Sequence, residues 1–217
     1  MKTYFSADRA SAAKVGGVFN GIDMTGMYYG QICQCEVAET PNHAQFIELS
    51  FKATKWSIKN EDVIEDGSGE KLAFIKIFLS TRDGRPTFGA DVFNAIMVLC
   101  GVDSCEAVPM NVFNRDNTKR QGYRIPALEK KSIGLLLQRE NRKYMKDGVE
   151  KETYQMNVVT PFDVKTGRSA KEMMDGTEAK AVLQRLKTLR DKPAKPLQNG
   201  SSSSVPYDDA PMTDAPF

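Results

Sequence analysis

Apolar and polar residues alternate through much of the first half of the chain. Residues 27–37 (MYYGQICQCEV) are rich in strand formers. Residues 44–53 place Ile47, Leu49 and Phe51 on one face and Phe46, Glu48, Ser50 and Lys52 on the other. Residues 71–80 (KLAFIKIFLS) are the strongest strand, with Ala73, Ile75, Ile77 and Leu79 on one side and Leu72, Phe74, Lys76 and Phe78 on the other. A strand buried on both sides has no use for a lysine between two phenylalanines, so the second face is expected to meet something wet and anionic. At residues 89–100 the period changes: Val92, Ala95, Ile96 and Leu99 fall at helical spacing, and Gly101 marks a stop. Strands resume at 132–139 and 152–160. Residues 177–190 predict an amphipathic helix, with Ala181, Val182, Leu186 and Leu189 on one side and Thr177 as its cap. The polar, glycine-containing stretches 60–71 and 140–151 read as loops, the second inside a hairpin. Residues 102–131 read as irregular and increasingly basic.

The order strand, strand, strand, helix, strand, strand predicts a mainly β protein. Its expected form is an OB-like five-stranded Greek-key barrel with a helix between strands three and four, an extra C-terminal helix and a disordered tail. Four segments follow: an irregular lead-in over 1–25, an OB-like domain with its C-terminal helix over 26–190, a flexible linker over 191–206 and an acidic tail over 207–217. The linker rests on composition alone, since PAKPLQNGSSSSVP combines proline, glycine and four consecutive serines without periodicity.

Composition narrows the chemistry. The 217 residues are 41% apolar and 27% charged, enough for one core and too charged for a membrane-embedded chain. No run approaches the ~18 apolar residues needed to span a bilayer, and the first eight residues hold no apolar stretch of the export type. A cytoplasmic protein with no membrane partner is expected. A single histidine, His43, excludes multi-histidine metal sites and most histidine-dependent catalysis. The cysteines Cys33, Cys35, Cys100 and Cys105 read as buried free thiols; a zinc site is the weaker reading, because Cys33 and Cys35 share a strand face at a spacing that zinc knuckles do not use. The carboxylates lie mostly in loops. Glu48 with Lys52 comes nearest to a metal-dependent nuclease site, and nothing completes it. Gly67-Ser68-Gly69 lacks the P-loop ending. A non-enzymatic protein without a cofactor is expected.

Thirty basic residues face 28 acidic ones, but three of the acids, Asp208, Asp209 and Asp214, stand in the last eleven positions beside no base. A formally basic body thus carries an acidic tip. In the body, cations interleave with rings, the combination that holds single strands: bases stack on rings while phosphates meet cations. The candidates are Lys52, Lys55, Trp56 and Lys59 at the end of one strand and Phe74, Lys76 and Phe78 on the next. Arg120, Tyr123 and Arg124 follow in the irregular stretch, and Arg139, Arg142 and Lys143 in the last hairpin.

The tip closes on Asp214-Ala215-Pro216-Phe217, so one residue carries both a ring and the α-carboxylate. A partner pocket rimmed by Arg or Lys takes both. Asp208, Asp209, Asp214, Pro216 and Phe217 resemble the acidic tip of bacterial-type single-stranded DNA-binding proteins. Residues 17–23 (GVFNGID), leading into a strand, resemble phage-encoded members of that class. The resemblance implies a protein that coats single-stranded DNA without strong sequence preference in phage replication, recombination or repair, in the host bacterial cytoplasm. It also implies that the protein recruits host or phage replication and repair proteins through its tip; a homo-oligomer, foremost a dimer, is expected. The alternative is a single-strand annealing or recombination mediator protein that forms larger oligomers.

Overall fold

In a computed structural model covering residues 21–60, 63–114 and 118–196, the strand β1 (Gly26–Glu39) organises the rest. It pairs antiparallel with β2 (Gln45–Asn60) along its whole length, and β2 pairs with β3 (Val63–Phe78). The other edge of β1 is divided. Residues 26–31 pair with β6 (Ser132–Lys146), whereas Glu36 and Val37 pair with β5 (Lys119–Arg124), itself the partner of β4 (Val108–Phe113). β7 (Val149–Phe162) runs beside β6. Register shifts at Tyr29/Gly30 and Ile32/Gln34 bend β1, which lets one edge serve two partners. The helix α1 (Phe88–Leu99) follows β3; α2 (Ala170–Met174) and α3 (Ala181–Thr188) follow β7.

Both faces of β1 contribute buried side chains, with Gln31 and Cys33 left exposed. Tyr28, Ile32 and Cys35 enter the main core with Ile47, Leu49, Phe51, Ile75, Ile133, Leu135 and the Ile96 side of α1. Met27 joins a second core with Leu136, Phe162, Val182 and Leu186, where α3 covers the back of the sheet. Burying such side chains contributes about 1.5–3 kcal/mol each.

The structure departs from the expected barrel. The sheet has seven strands, not five, and among the described residues no ladder joins β3 to β7, so it does not close. A cleft of about 360 Å³ opens there, lined by Lys76, Phe78, Val158, Val159, Arg185 and Leu189 among others. The stretches read as loops are strands. Asn60 and residues 63–71 lengthen the β2–β3 hairpin, most of 140–151 lengthens β6–β7, and part of 102–131 forms β4–β5. Residues 63–71 and 140–151 contain no fully buried side chain and so show no apolar alternation, which hid their pairing. The β6–β7 arm turns at Asp147-Gly148, both at positive φ (54° and 76°), as a two-residue hairpin of that twist requires. The last helix spans 181–188 rather than 177–190. The chain beyond it is tied down as far as Lys192: Asp191 accepts from the Thr25 hydroxyl at 2.5 Å, and the Lys192 N–H donates to the Arg139 carbonyl at 2.9 Å. The lead-in before residue 21, the linker from 197 and the acidic tail lie outside the described residues. No helix among the described residues is long and apolar enough to cross a membrane.

Thr177 does not cap α3; Glu172 does. Its carboxylate accepts the Ser169 N–H at 2.8 Å to close a capping box on α2. Its other oxygen takes the N–H groups of Lys180 and Ala181, at 2.8 and 2.7 Å, at the start of α3. Burial raises the pKa of this carboxyl, but hydrogen bonds from Ala181, Lys180 and Ser169 outweigh it and leave the pKa lowered to about 2. A carboxyl depressed by folding stabilises above its ordinary pKa and loses that contribution as pH falls toward the folded value. Glu172→Gln is therefore expected to cost about 1–3 kcal/mol at pH 7 in urea denaturation. The gap from wild type should narrow as pH falls from 4.5 to about 2.

Candidate nucleic-acid interface

Alternation along β2 and β3 gives each strand one core face and one outer face. With Ile47, Leu49, Phe51, Ala73, Ile75 and Ile77 committed to the core, Phe46, Glu48, Ser50 and Lys52 share the outer face with Leu72, Phe74, Lys76 and Phe78. The register sets Phe46 opposite Phe78, Glu48 opposite Lys76, Ser50 opposite Phe74 and Lys52 opposite Leu72. The Phe46 and Phe78 rings lie 5.6 Å apart, and the Lys76 ammonium stands 5.1 Å from the Phe46 ring centre. Phe46 is buried and Phe78 is 43% exposed, so one ring supports the other, which is left open as a platform.

A second element forms a wall. After two paired residues the β4–β5 hairpin leaves the edge of β1 and leans over its outer face. The Gln34 side chain accepts the Phe113 N–H at 2.9 Å and donates to the Phe113 carbonyl at 3.4 Å. Arg120 donates to Glu36, with contacts of 2.6 and 2.7 Å to its two oxygens. Gln34 and Glu36 are buried by these contacts, and a buried amide and carboxylate need such partners. The hairpin thereby brings a second exposed ring, Phe113, with the Lys119 ammonium 5.4 Å from its centre.

The cations of this face have carboxylate neighbours. Lys52 meets Glu70 at 2.5 Å, and that hydrogen bond raises its pKa. Lys76 stands 4.0 Å from Glu48. The Lys52–Glu70 pair is exposed and worth little, so an arriving phosphate displaces it at small cost.

Of the residues read from the sequence, Lys52, Phe74, Lys76 and Phe78 meet on the outer face, and Arg120 reaches it through the hairpin. The others are elsewhere. Lys55, Trp56 and Lys59 lie on the β2–β3 arm; Lys59 is placed by its backbone opposite Ile64. Trp56 is half-buried against the main core, not beside Phe74. Its indole fills the space above Gly67, where a Cβ would come within 2.3 Å of the ring, and the Lys71 ammonium stands 5.0 Å from the ring centre. Tyr123 is exposed on the hairpin, one position out of phase with Arg124. Arg124 is held inside, donating to both oxygens of Glu129 at 2.7 and 2.5 Å. Arg139 lies over the Tyr154 ring and donates to the Asp23 carbonyl at 3.0 Å. On the β6–β7 arm, Arg142 faces Glu140 at 3.5 Å and Lys143 meets Glu150 at 2.7 Å. Asp208, Asp209, Asp214, Pro216 and Phe217 lie outside the described residues.

Sequence reasoning missed Gln34, Glu36, Phe113 and Lys119, whose place depends on a hairpin that was not foreseen. Phe46 and Glu48 already stood on the right face in the alternation.

Cys35, Cys100 and Cys105 share the main core, and Cys33 stands apart from them. The bulge at Ile32/Gln34 breaks the expected common face, so Cys33 is exposed while Cys35 is buried in the core with Cys100. Burial pushes the Cys35 thiol up and raises Cys100 to about 11, so both stay protonated at neutral pH. Among the described residues no three His, Cys, Asp or Glu side chains are grouped to hold a metal ion.

The sequence matches no family model and no curated protein. Iodoacetamide at pH 8 is expected to label Cys33 first and to reach Cys35 and Cys100 only after denaturation, as peptide mass spectrometry of a time course would record.

Proposed function

We propose that this protein binds and protects single-stranded DNA, without strong sequence preference, in phage DNA replication, recombination or repair. The observation that carries the reading is the outer face of β2 and β3: two rings, Phe74 and Phe78, flank Lys76 on one strand, and the β4–β5 hairpin adds Phe113, Lys119 and Arg120 as a wall. Stacking planes and cations interleaved on one face suit an unpaired strand, whose bases are free to lie on rings. A duplex keeps its bases stacked on each other and offers such rings nothing. On this reading β1–β3, α1, β6 and β7 correspond to an OB-like barrel in which the β4–β5 hairpin is an insertion, and the face used is the one that OB folds commonly turn to oligonucleotides. The protein has no catalytic role in this proposal. Its acidic tip, ending in Phe217, recruits replication and repair proteins, and the body assembles as a homodimer.

The test is fluorescence anisotropy of a labelled oligo(dT) strand against the full chain, with a duplex as control. Phe78→Ala and Phe113→Ala are each expected to weaken binding by about 1–3 kcal/mol. Lys119→Ala should flatten the slope of log affinity against log salt by roughly 0.7. Arg142→Ala should leave affinity close to wild type. Equal affinity for duplex and single strand would overturn the proposal, as would indifference to the loss of either ring.

A further inference from the structure

One side chain of the outer face has a role that non-selective stacking does not explain. Glu48 stands at the centre of the face, its side chain 24% exposed, between the strand carrying Phe74 and Phe78 and the strand carrying Glu36. Glu36, directly opposite on β1, is held by two contacts from Arg120. Glu48 has only Lys76 beside it, at 4.0 Å, too far for a hydrogen bond. Among the described residues, its carboxylate thus receives no hydrogen bond while sitting on a face that carries exposed rings.

A carboxylate in that place repels phosphate. Strands enter with their bases toward Glu48 and their phosphates toward the rim, where Lys52, Lys119 and Arg120 stand. What Glu48 accepts is an N–H donor on a base edge. Lys76, its cross-strand neighbour, offers a donor in turn. The pair therefore presents an acceptor with two oxygens and, 4.0 Å from it, a cationic donor. Guanine is the base that matches it. Its Watson–Crick edge carries a carbonyl oxygen, a ring N–H and an exocyclic amino group in succession, so Lys76 meets O6 while the two Glu48 oxygens take N1–H and N2–H. Thymine offers one N–H between two carbonyls, and one of those carbonyls then faces the carboxylate. In an unpaired strand this edge is free to be read.

We infer that Glu48, with Lys76, is a specificity-determining residue that favours guanine over thymine where a base stacks on Phe78. The inference rests on the single-strand reading above and refines it, since a several-fold preference at one position leaves every sequence bound. A bidentate base contact discriminates by about 5–150-fold, and a partly exposed pair places the effect at the lower end, about 5–10-fold in affinity.

The experiment is competition anisotropy on the full chain with three strands of equal length: oligo(dT), the same strand with guanine at spaced positions, and a version carrying hypoxanthine, which lacks only the 2-amino group. Wild type should bind the guanine strand about 5–10-fold more tightly than oligo(dT), with hypoxanthine in between. Glu48→Gln should bring the three strands together. Glu70→Gln, which removes an equal charge beside Lys52, should raise affinity for all three and keep their ratio. Added salt should lower every affinity and leave the ratio unchanged. Equal binding of the three strands by wild type would overturn the inference while leaving the single-strand reading intact, as would a preference that survives Glu48→Gln. Failure to bind any of the strands would remove the single-strand reading itself. Because the hypoxanthine comparison is made on the unmodified protein, a variant that folds poorly does not blunt the test.

Discussion

β1 is the constraint on which the fold depends. It contributes buried side chains on both faces and is paired on both edges, and its second edge is shared between β6 and β5. A flat strand cannot do this. The register shifts at Tyr29/Gly30 and Ile32/Gln34 turn the strand so that Tyr28 and Ile32 point into the main core, while Gln34 and Glu36 come to the outer face. These two buried polar residues then need partners, and the β4–β5 hairpin supplies them through the Phe113 backbone and Arg120. The bend in one strand thus fixes the core, the division of the sheet edge and the position of the wall over the candidate face.

The same constraint explains the charge pattern. The core takes every second residue of β2 and β3, so the residues between are released from packing. They comprise rings and both signs of charge: Phe46 with Phe78, Glu48 with Lys76, Lys52 with Leu72. Paired charges keep this surface hydrated and oppose its closing on another sheet, while the exposed rings keep it from being an ordinary polar face. Away from it, charges serve structure. Arg124 with Glu129 and Arg139 with Asp23 and Tyr154 brace the irregular parts of the chain. The ion pairs of the β6–β7 arm stand where an apolar face is missing.

Glu172 shows how a local motif becomes tertiary. Ser169 and Glu172 form a capping box within one turn of chain, which the sequence pattern alone contains. The second oxygen of that carboxylate reaches eight and nine residues further, to the first N–H groups of α3. A single buried carboxylate thereby orients the helix that roofs the second core through Val182 and Leu186.

The alternation of Ile47, Leu49 and Phe51, and of Ala73, Ile75 and Ile77, was enough to place two strands and to put Lys52, Phe74, Lys76 and Phe78 on one shared face, because a buried side chain reports its environment through its own chemistry. The helix after β3 was legible for the same reason. The arms were not: in residues 63–71 and 140–151 no side chain is fully buried, so no apolar periodicity records the pairing. Nor does any local pattern say that Phe113 lies beside Gln34, that Trp56 rests on Gly67 rather than beside Phe74, or that a bulge separates Cys33 from Cys35. Those facts depend on register and on where strands distant in sequence meet, and register is decided by packing across the sheet, which no stretch of chain carries within itself.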